Sequence, residues 1–265
     1  MSKDLTKKDD AAIGFMKDVL DFGYTGFENL EEGMISLPFL KIAQGKEEIV
    51  GIKPGDFYNS ITGKIYGQTL QAAFLGFDHA WLEWGDGLGD YKGRLDKTEI
   101  DTLEKNMVIG RQMRDGKPMF DYLRTDKSSK KIQEAYTFFL ILPEYAEDGI
   151  LMFSMKATSM KHVKKLLTKA RAQNLKLASG ETVPAPMYSV VWQLRSMVYK
   201  NDAGQQWRAL GDKTNLGADV LGNMLEDKYV PLQKQVIDAA RFVKELQFSK
   251  LNLAGSRDVT PESEE

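Results

Sequence analysis

The sequence of 265 residues contains no cysteine and only two histidines, His79 and His162. Disulfide bonds and thiolate metal sites are therefore excluded, and a zinc site would need both histidines together with carboxylates. We accordingly expect no metal and no cofactor. The first residues lack the apolar core of a signal peptide, and no apolar run reaches the roughly 18 residues of a membrane helix. These absences predict a cytoplasmic protein with no membrane partner.

Sequence motifs of enzyme active sites are also missing. There is no GxxxxGK[ST] phosphate loop and no GxSxG turn, and the stretch Gly85–Asp90 (GDGLGD) does not fit the GxGxxG dinucleotide pattern. Four acids in or near this stretch could hold a divalent metal, as in a nuclease: Asp78, Glu83, Asp86 and Asp90. Acids around a glycine turn are usually solvated, so the sequence favours a protein that is not an enzyme.

Positive charge is concentrated in one part of the chain, although the net charge of the whole is only −2. Residues 1–150 carry a net charge of −7 and residues 211–265 carry −3, whereas residues 151–210 carry +8. A local excess of this kind points to an anionic partner more directly than the overall charge does.

The stretch from Phe153 to Lys176 predicts a strand and then a helix that is rich in lysine and contains no acid. Ser159 is a favoured residue type at a helix N-cap. Apolar positions at helical spacing form a core face: Met160, Val163, Leu166, Leu167 and Ala170. Lysines occupy the other side: Lys161, Lys164, Lys165 and Lys169. Like charges four residues apart oppose the helix by about 0.2–0.5 kcal/mol per pair, which bound phosphates would relieve. A polyanion-binding surface and a merely solvated face both remain open.

The next stretch, MYSVVWQLRSMVYK, alternates as a strand does and supports a nucleic-acid surface. The alternation predicts Trp192 in the core and Arg195 and Tyr199 on the opposite face. Aromatic side chains that stack bases and cations that hold the backbone suit single-stranded nucleic acid. The candidate nucleic-acid-binding residues are Lys156, Lys161, Lys164, Lys165, Lys169, Arg195, Tyr199, Lys200, Trp207 and Arg208.

Four further aromatic residues could stack bases: Tyr66, Trp81, Trp84 and Tyr91. Trp81 and Trp84 lie three residues apart, so in a strand they face opposite sides. We expect one of the two in the core and the other exposed.

The order of predicted elements indicates a β-rich α+β fold. A hairpin is expected at Thr62–Gly63, and a second strand pair joins YTFFLILPEY to ILMFSMKA. The lysine helix, a third strand pair around NDAG, and helical periodicity from about Leu216 to Phe248 follow. This order fits an OB-fold barrel of five antiparallel strands with a helix between strands three and four and an added C-terminal helix. A different α+β sandwich would give much the same order.

Four segments resemble, in their order, phage-encoded single-stranded DNA-binding proteins with a single OB-fold. They are LPFLKIAQ, IKPGDFYNSITGKIYG, LMFSMKATSMKHVKKLLTKA and YSVVWQLRSMVYKNDAGQQW. The resemblance covers roughly Met34 to Leu210. It implies a barrel that coats single-stranded DNA without sequence preference during phage DNA replication and recombination, inside the bacterial host. It assigns no individual stacking residue.

With this resemblance the chain divides into four parts. These are an N-terminal extension (1–33), an OB-type DNA-binding domain (34–213) with a polar, irregular insertion near 92–134, a C-terminal helix (214–250) and a disordered acidic tail (251–265).

The acidic tail could shield the basic groove or recruit replication or recombination proteins. It is shorter than the tails of the wider class and ends in glutamate, which weakens the recruiting role. Two other functions stay open: a phage structural or assembly protein whose basic face contacts another subunit, and a metal-dependent nuclease or recombination enzyme.

Overall fold

The computed structural model describes residues 37–86, 90–114, 116–129, 131–156, 159–176, 179–200, 204–211, 215–220 and 230–246. The predicted N-terminal extension (1–33) and acidic tail (251–265) lie outside the described residues. Within the described part, no helix is long and apolar enough to cross a membrane.

The described residues form fourteen strands and three α-helices. The strands are β1 (Leu40–Ile42), β2 (Phe57–Asn59), β3 (Ile65–Gly67), β4 (Thr69–Trp84), β5 (Tyr91–Leu95), β6 (Ile109–Arg114), β7 (Lys117–Arg124), β8 (Lys131–Ile141), β9 (Leu151–Lys156), β10 (Asn174–Lys176), β11 (Thr182–Pro184), β12 (Val190–Lys200), β13 (Gln206–Leu210) and β14 (Asn215–Val220). The helices are α1 (Lys97–Lys105), α2 (Met160–Arg171) and α3 (Val230–Glu245).

An antiparallel sheet of nine strands is the centre of the fold, and it curls into a half-barrel. Its main path runs in the order β13-β12-β4-β8-β7-β6, while β14 pairs with β12, β5 with β4 and β9 with β8. Strand β4 is 16 residues long and pairs with β12 near its start, with β5 at its end and with β8 along most of its length. Smaller sheets are formed by β1-β2-β3 and by β10-β11.

The predicted β-rich α+β class is confirmed, whereas the OB-fold is not. The described strands outnumber the expected five, and the lysine helix α2 follows β9 rather than the third strand. Residues 215–220, which were assigned to the C-terminal helix, form strand β14 on the edge of β12. The helix itself is described at Val230–Glu245.

The segment 92–134 is regular, contrary to expectation, and contributes β5, α1, β6, β7 and the start of β8. Ile109 of β6, Tyr122 of β7 and Ile132 of β8 are buried in one apolar cluster with Ile100 of α1. Charged residues are frequent in β5, β6 and β7 and interrupt the apolar alternation in the sequence. A start signal for α1 was nevertheless present, because Asp96 and Glu99 form a reciprocal capping box.

The two faces of the curled sheet bury separate apolar clusters. In β4, Leu70 and Phe74 join one cluster, while Ala73 and Leu75 join the other, as the alternation predicts. Helix α2 covers the first cluster, and α3 packs its apolar side, including Val236, on the second.

Three predicted strand pairs are confirmed: β2–β3, β8–β9 and β12–β13. In the first, Gly63 has a φ of +70°, which glycine adopts without steric cost.

Candidate nucleic-acid interface

Helix α2 has the two faces that its sequence predicts. Met160, Val163 and Leu166 are buried in the core, whereas three lysines are exposed: Lys164, Lys165 and Lys169. The side chain of Lys161 lies outside the described part. Ser159 occupies the N-cap, but its side chain makes no capping hydrogen bond. The first turn contains no acid and the last turn contains Lys169 and Arg171, so the whole outer surface of the helix is basic or neutral.

The hairpin of β12 and β13 presents a stacked pair of aromatic rings. Tyr199 lies directly opposite Trp207 in the strand register, and their ring centroids are 6.0 Å apart at an interplanar angle of 21°. Both residues are half-buried, so each ring retains accessible area. The Tyr199 hydroxyl donates a hydrogen bond of 3.0 Å to the carbonyl oxygen of Leu210, which fixes the orientation of the ring.

His162 joins the basic helix to this hairpin. Its imidazole lies 5.6 Å from the Tyr199 ring, and the residue is only 5% exposed. His162 is therefore a contact between α2 and β12. It lies four residues before the buried Leu166, and this helical spacing was the available signal.

A pocket opens where α2 meets the end of β13. Lys165 and Lys169 line it from the helix, and Trp192, Leu210 and Gly211 line it from the sheet. The Gly211 N–H donates a 2.7 Å hydrogen bond to the carbonyl oxygen of Arg195, so the backbone of that exposed residue lies next to the pocket. The structure thus brings lysines of α2, Arg195 and the aromatic pair into one region.

Arg208 lies on the other side of the hairpin from Trp207. A side chain placed at Gly55 would come within 3.0 Å of the Arg208 guanidinium, so this arginine packs towards the loop before β2. The Gln44 side chain pairs with the Arg208 backbone through hydrogen bonds of 2.8 and 2.9 Å. Lys200 is exposed at the end of β12. It pairs with Gln206, so by the strand register it faces the same side of the hairpin as Arg208. Arg208 and Lys200 are therefore not grouped with the aromatic pair.

Lys156 is buried rather than presented to a ligand. It is 5% exposed, and its Nζ lies 5.1 Å from the centre of the Trp84 ring. The expectation that Lys156 contacts nucleic acid assumed that the last residue of β9 would be accessible. Its register opposite Ala135 instead places it on the side of the sheet that the apolar cluster of Ala135 and Trp84 covers.

The expectation that either Trp81 or Trp84 is exposed is wrong in the described structure. The two residues do face opposite sides, but they are 5% and 1% exposed, because both sides of β4 are covered here. On the Trp81 side the cover includes α1, whose Ile100 belongs to the same apolar cluster. A sequence pattern shows alternation but cannot show that both faces are covered.

The other two proposed stacking residues are engaged within the protein. Tyr66 is 6% exposed, and its hydroxyl donates a 2.9 Å hydrogen bond to Asp148. Burial, together with this hydrogen bond, raises the pKa of Tyr66 to about 12. Tyr91 is half-buried 5.5 Å from the Trp84 ring, and burial raises the pKa of Tyr91 to about 12.

A row of partly exposed rings on β4 and β8 was missed by the sequence analysis. Tyr136 stacks on His79 with centroids 4.1 Å apart, and Phe77, which is 39% exposed, lies 5.8 Å from Tyr136. The His79 Nε2 also lies 2.9 Å from a carboxylate oxygen of Glu134. The alternation along β4 and β8 does not show which side chains other segments leave uncovered, so it could not mark these rings as partly exposed.

Three of the four acids in or near Gly85–Asp90 pair with separate cations. Asp78 accepts two hydrogen bonds from Arg94, Glu83 accepts two from Arg124, and Asp90 lies 2.9 Å from Lys92. The hydrogen bonds from Arg124 hold the pKa of Glu83 below its ordinary value. Among the described residues, no group of three His, Asp or Glu side chains could hold a metal ion.

Comparison with known proteins places the chain in a phage family. No curated protein and no solved structure matches it significantly. The model of one family, described as the Pam3 phage gp34-like protein, matches residues 6–215. This match spans well over half of the chain and includes α2 together with the β12–β13 hairpin. The chain therefore belongs to the family of Pam3 phage gp34-like proteins.

Proposed function

We propose that this phage protein binds single-stranded DNA without sequence preference and is not an enzyme. The observation that carries the proposal is the junction of the basic helix and the aromatic hairpin. His162 contacts Tyr199, and Tyr199 stacks on Trp207. His162 also lines a pocket with Lys165 and Lys169, so these two lysines lie on the side of α2 that meets the half-buried aromatic pair. Cations beside aromatic side chains are the combination on which proteins bind single strands.

Each part of this junction has a separate task in the proposal. Lys164, Lys165 and Lys169 neutralise phosphates and release counterions, which gives affinity that falls as salt rises. Tyr199 and Trp207 offer ring faces to unpaired bases, and one stacked base is worth about 1–3 kcal/mol. Because every base has a ring face, such stacking does not select a sequence.

A duplex suits this arrangement less well, because its bases are already paired and stacked within the helix. The lysines could still attract its phosphates, but the aromatic pair would gain nothing. Preference for single strands therefore rests on Tyr199 and Trp207, and salt dependence rests on the lysines of α2.

In the phage, we place this binding in DNA replication and recombination within the host cytoplasm. The acidic residues Glu262, Glu264 and Glu265 would compete with DNA for the lysines of α2. The same residues would be available to replication or recombination proteins once DNA displaced them.

The proposal is tested by titrating labelled oligo-dT and a duplex of equal length with the full chain, using fluorescence anisotropy. We expect oligo-dT to bind tightly and the duplex weakly at about 50 mM salt. Four phosphate contacts would weaken oligo-dT binding roughly 50-fold between about 50 and 200 mM salt. Absence of binding at micromolar protein and low salt would overturn the proposal and identify the lysine face as a protein-contacting or solvated surface.

A further inference from the structure

Trp192, which lines the pocket between α2 and the end of β13, carries a buried hydrogen-bond donor that has no acceptor among the described residues. Trp192 lines this pocket and is 1% exposed. No acceptor within the described residues reaches its indole Nε1. An indole N–H can only donate, and buried polar groups in native proteins normally have a partner. The donor therefore points to an acceptor that is supplied from outside the described chain.

The Trp192 ring is held in place, so its donor has a fixed direction. It makes an edge-on contact with Phe74, with centroids 5.6 Å apart at 67°, and it packs within the apolar cluster under α2. A ring fixed in this way needs no further ordering when its N–H donates to a ligand.

The chemistry around the donor favours an anion over a neutral acceptor. Lys165 and Lys169 line the same pocket from one face of α2, and Leu166 and Leu210 provide apolar walls. No acid is among the described residues that line it. An anionic oxygen in this pocket would be drawn by the helix lysines and would accept the indole N–H.

We infer that this pocket binds a single phosphate group, with Trp192 Nε1–H donating to one phosphate oxygen and Lys165 and Lys169 neutralising its charge. This identification of the ligand rests on the proposed function: the phosphate belongs to the backbone of single-stranded DNA and anchors the strand next to Tyr199 and Trp207. Free phosphate has the same oxygens and serves as the simplest probe. A buried water could satisfy the indole instead, and the experiment separates that case.

The test uses the indole N–H signals of the full chain labelled with ¹⁵N, observed by NMR. The chain has four tryptophans, and Trp192→Phe identifies the Trp192 signal while it keeps an aromatic ring in the core. Sodium phosphate, sodium chloride at matched ionic strength, and oligo-dT are added in separate titrations. We expect a saturable shift of the Trp192 signal with phosphate and with oligo-dT, an unmoved signal from the remote Trp84, and no comparable change with chloride. Lys169→Gln should weaken phosphate binding by up to about five-fold.

The outcomes distinguish this inference from the proposed function. Oligo-dT binding with an unmoved Trp192 signal in every titration would overturn the phosphate pocket, assign the indole to water and leave the DNA-binding proposal standing. A Trp192 shift with phosphate but no binding of oligo-dT would keep the pocket and overturn the DNA-binding proposal. Equal shifts with phosphate and chloride would overturn the pocket, because they would report ionic strength only.

Discussion

His162 lies against Tyr199, with ring centroids 5.6 Å apart, and this contact connects the basic helix α2 to the β12–β13 hairpin. The lysines and the aromatic pair belong to separate elements, and neither element alone forms the two-part surface proposed for single-stranded DNA. The buried histidine keeps them side by side.

Replacing Trp207 should weaken binding to oligo-dT. Trp207→Ala removes the ring that stacks on Tyr199, and we expect a loss of about 1–3 kcal/mol per stacked base. Trp207→Phe should retain most of the affinity because it keeps an aromatic face. Fluorescence anisotropy measures both, with Phe242→Ala on α3 as the control, since Phe242 is also a partly exposed ring (45%). Affinity of Trp207→Ala equal to that of the wild type would exclude Trp207 from the interface.

The two faces of α2 should respond differently to substitution. Met160 is 1% exposed, and Met160→Ala should lower the free energy of unfolding by about 2–5 kcal/mol through the cavity it leaves. Lys164 is exposed, and Lys164→Ala should change stability by no more than about 0.5 kcal/mol. Urea denaturation followed by circular dichroism compares them. A similar loss of unfolding free energy in Met160→Ala and Lys164→Ala would mean that α2 does not pack through its apolar face.

Glu83 should contribute to the loss of stability in acid. Hydrogen bonds from Arg124 lower the pKa of Glu83 below its ordinary 4.5, so the unfolded chain takes up this proton at higher pH than the folded protein. The stabilisation is present above about pH 4.5 and is lost as the pH falls through the lowered pKa. Glu83→Gln should therefore flatten the decline of the unfolding free energy below about pH 4.5.

The control for Glu83 is its partner. Arg124→Gln removes the same hydrogen bonds from the other side and should flatten the acid profile in the same way. Denaturant titrations at pH values from about 3 to 7 follow both variants. If the unfolding free energy of Glu83→Gln changed with pH in parallel with that of the wild type throughout this range, Glu83 would not contribute to the loss of stability in acid.

Gln44 should attach the small β1-β2-β3 sheet to the hairpin. Its side chain both accepts from and donates to the Arg208 backbone, and a lost partner of this kind costs about 1–3 kcal/mol. Gln44→Ala should therefore destabilise the protein in urea, while Gln71→Ala, at an exposed residue near the start of β4, should not. Equal stability of the two variants would show that the paired hydrogen bonds contribute nothing net.

Local features of this fold could be predicted from the sequence because they depend on neighbouring residues. The apolar face of α2, the alternation of β4 and the three strand pairs follow from spacing and turn residues. The number of strands could not be predicted, because the strands between Tyr91 and Arg124 are short and interrupted by charged residues. Strand β14 was also missed, since its sequence was included in the helical periodicity that continues into α3.

The candidate site was predictable in its elements but not in its arrangement. Exposed lysines on α2 and the opposed Tyr199 and Trp207 follow from periodicity and strand pairing. The burial of Lys156 and both tryptophans of β4 depends on what covers each face, which is a property of distant segments. The role of His162 likewise arises from packing between elements.

The central claim is that the lysines of α2 contact phosphates, and the salt dependence of binding tests it most directly. The triple variant Lys164→Gln, Lys165→Gln, Lys169→Gln removes three charges from one exposed face. Each phosphate contact contributes about −0.7 to the slope of log K against log salt on single strands. The triple variant should therefore have a slope shallower than the wild type by about 2.

A matched variant carries the same loss of charge elsewhere: Lys46→Gln, Lys105→Gln, Lys244→Gln, all exposed and all outside α2. We would measure oligo-dT binding by both variants and the wild type at several salt concentrations between about 50 and 200 mM. The account predicts a shallower slope for the α2 variant and a slope close to the wild type for the matched variant. Equal slopes for the α2 variant and the wild type would contradict it.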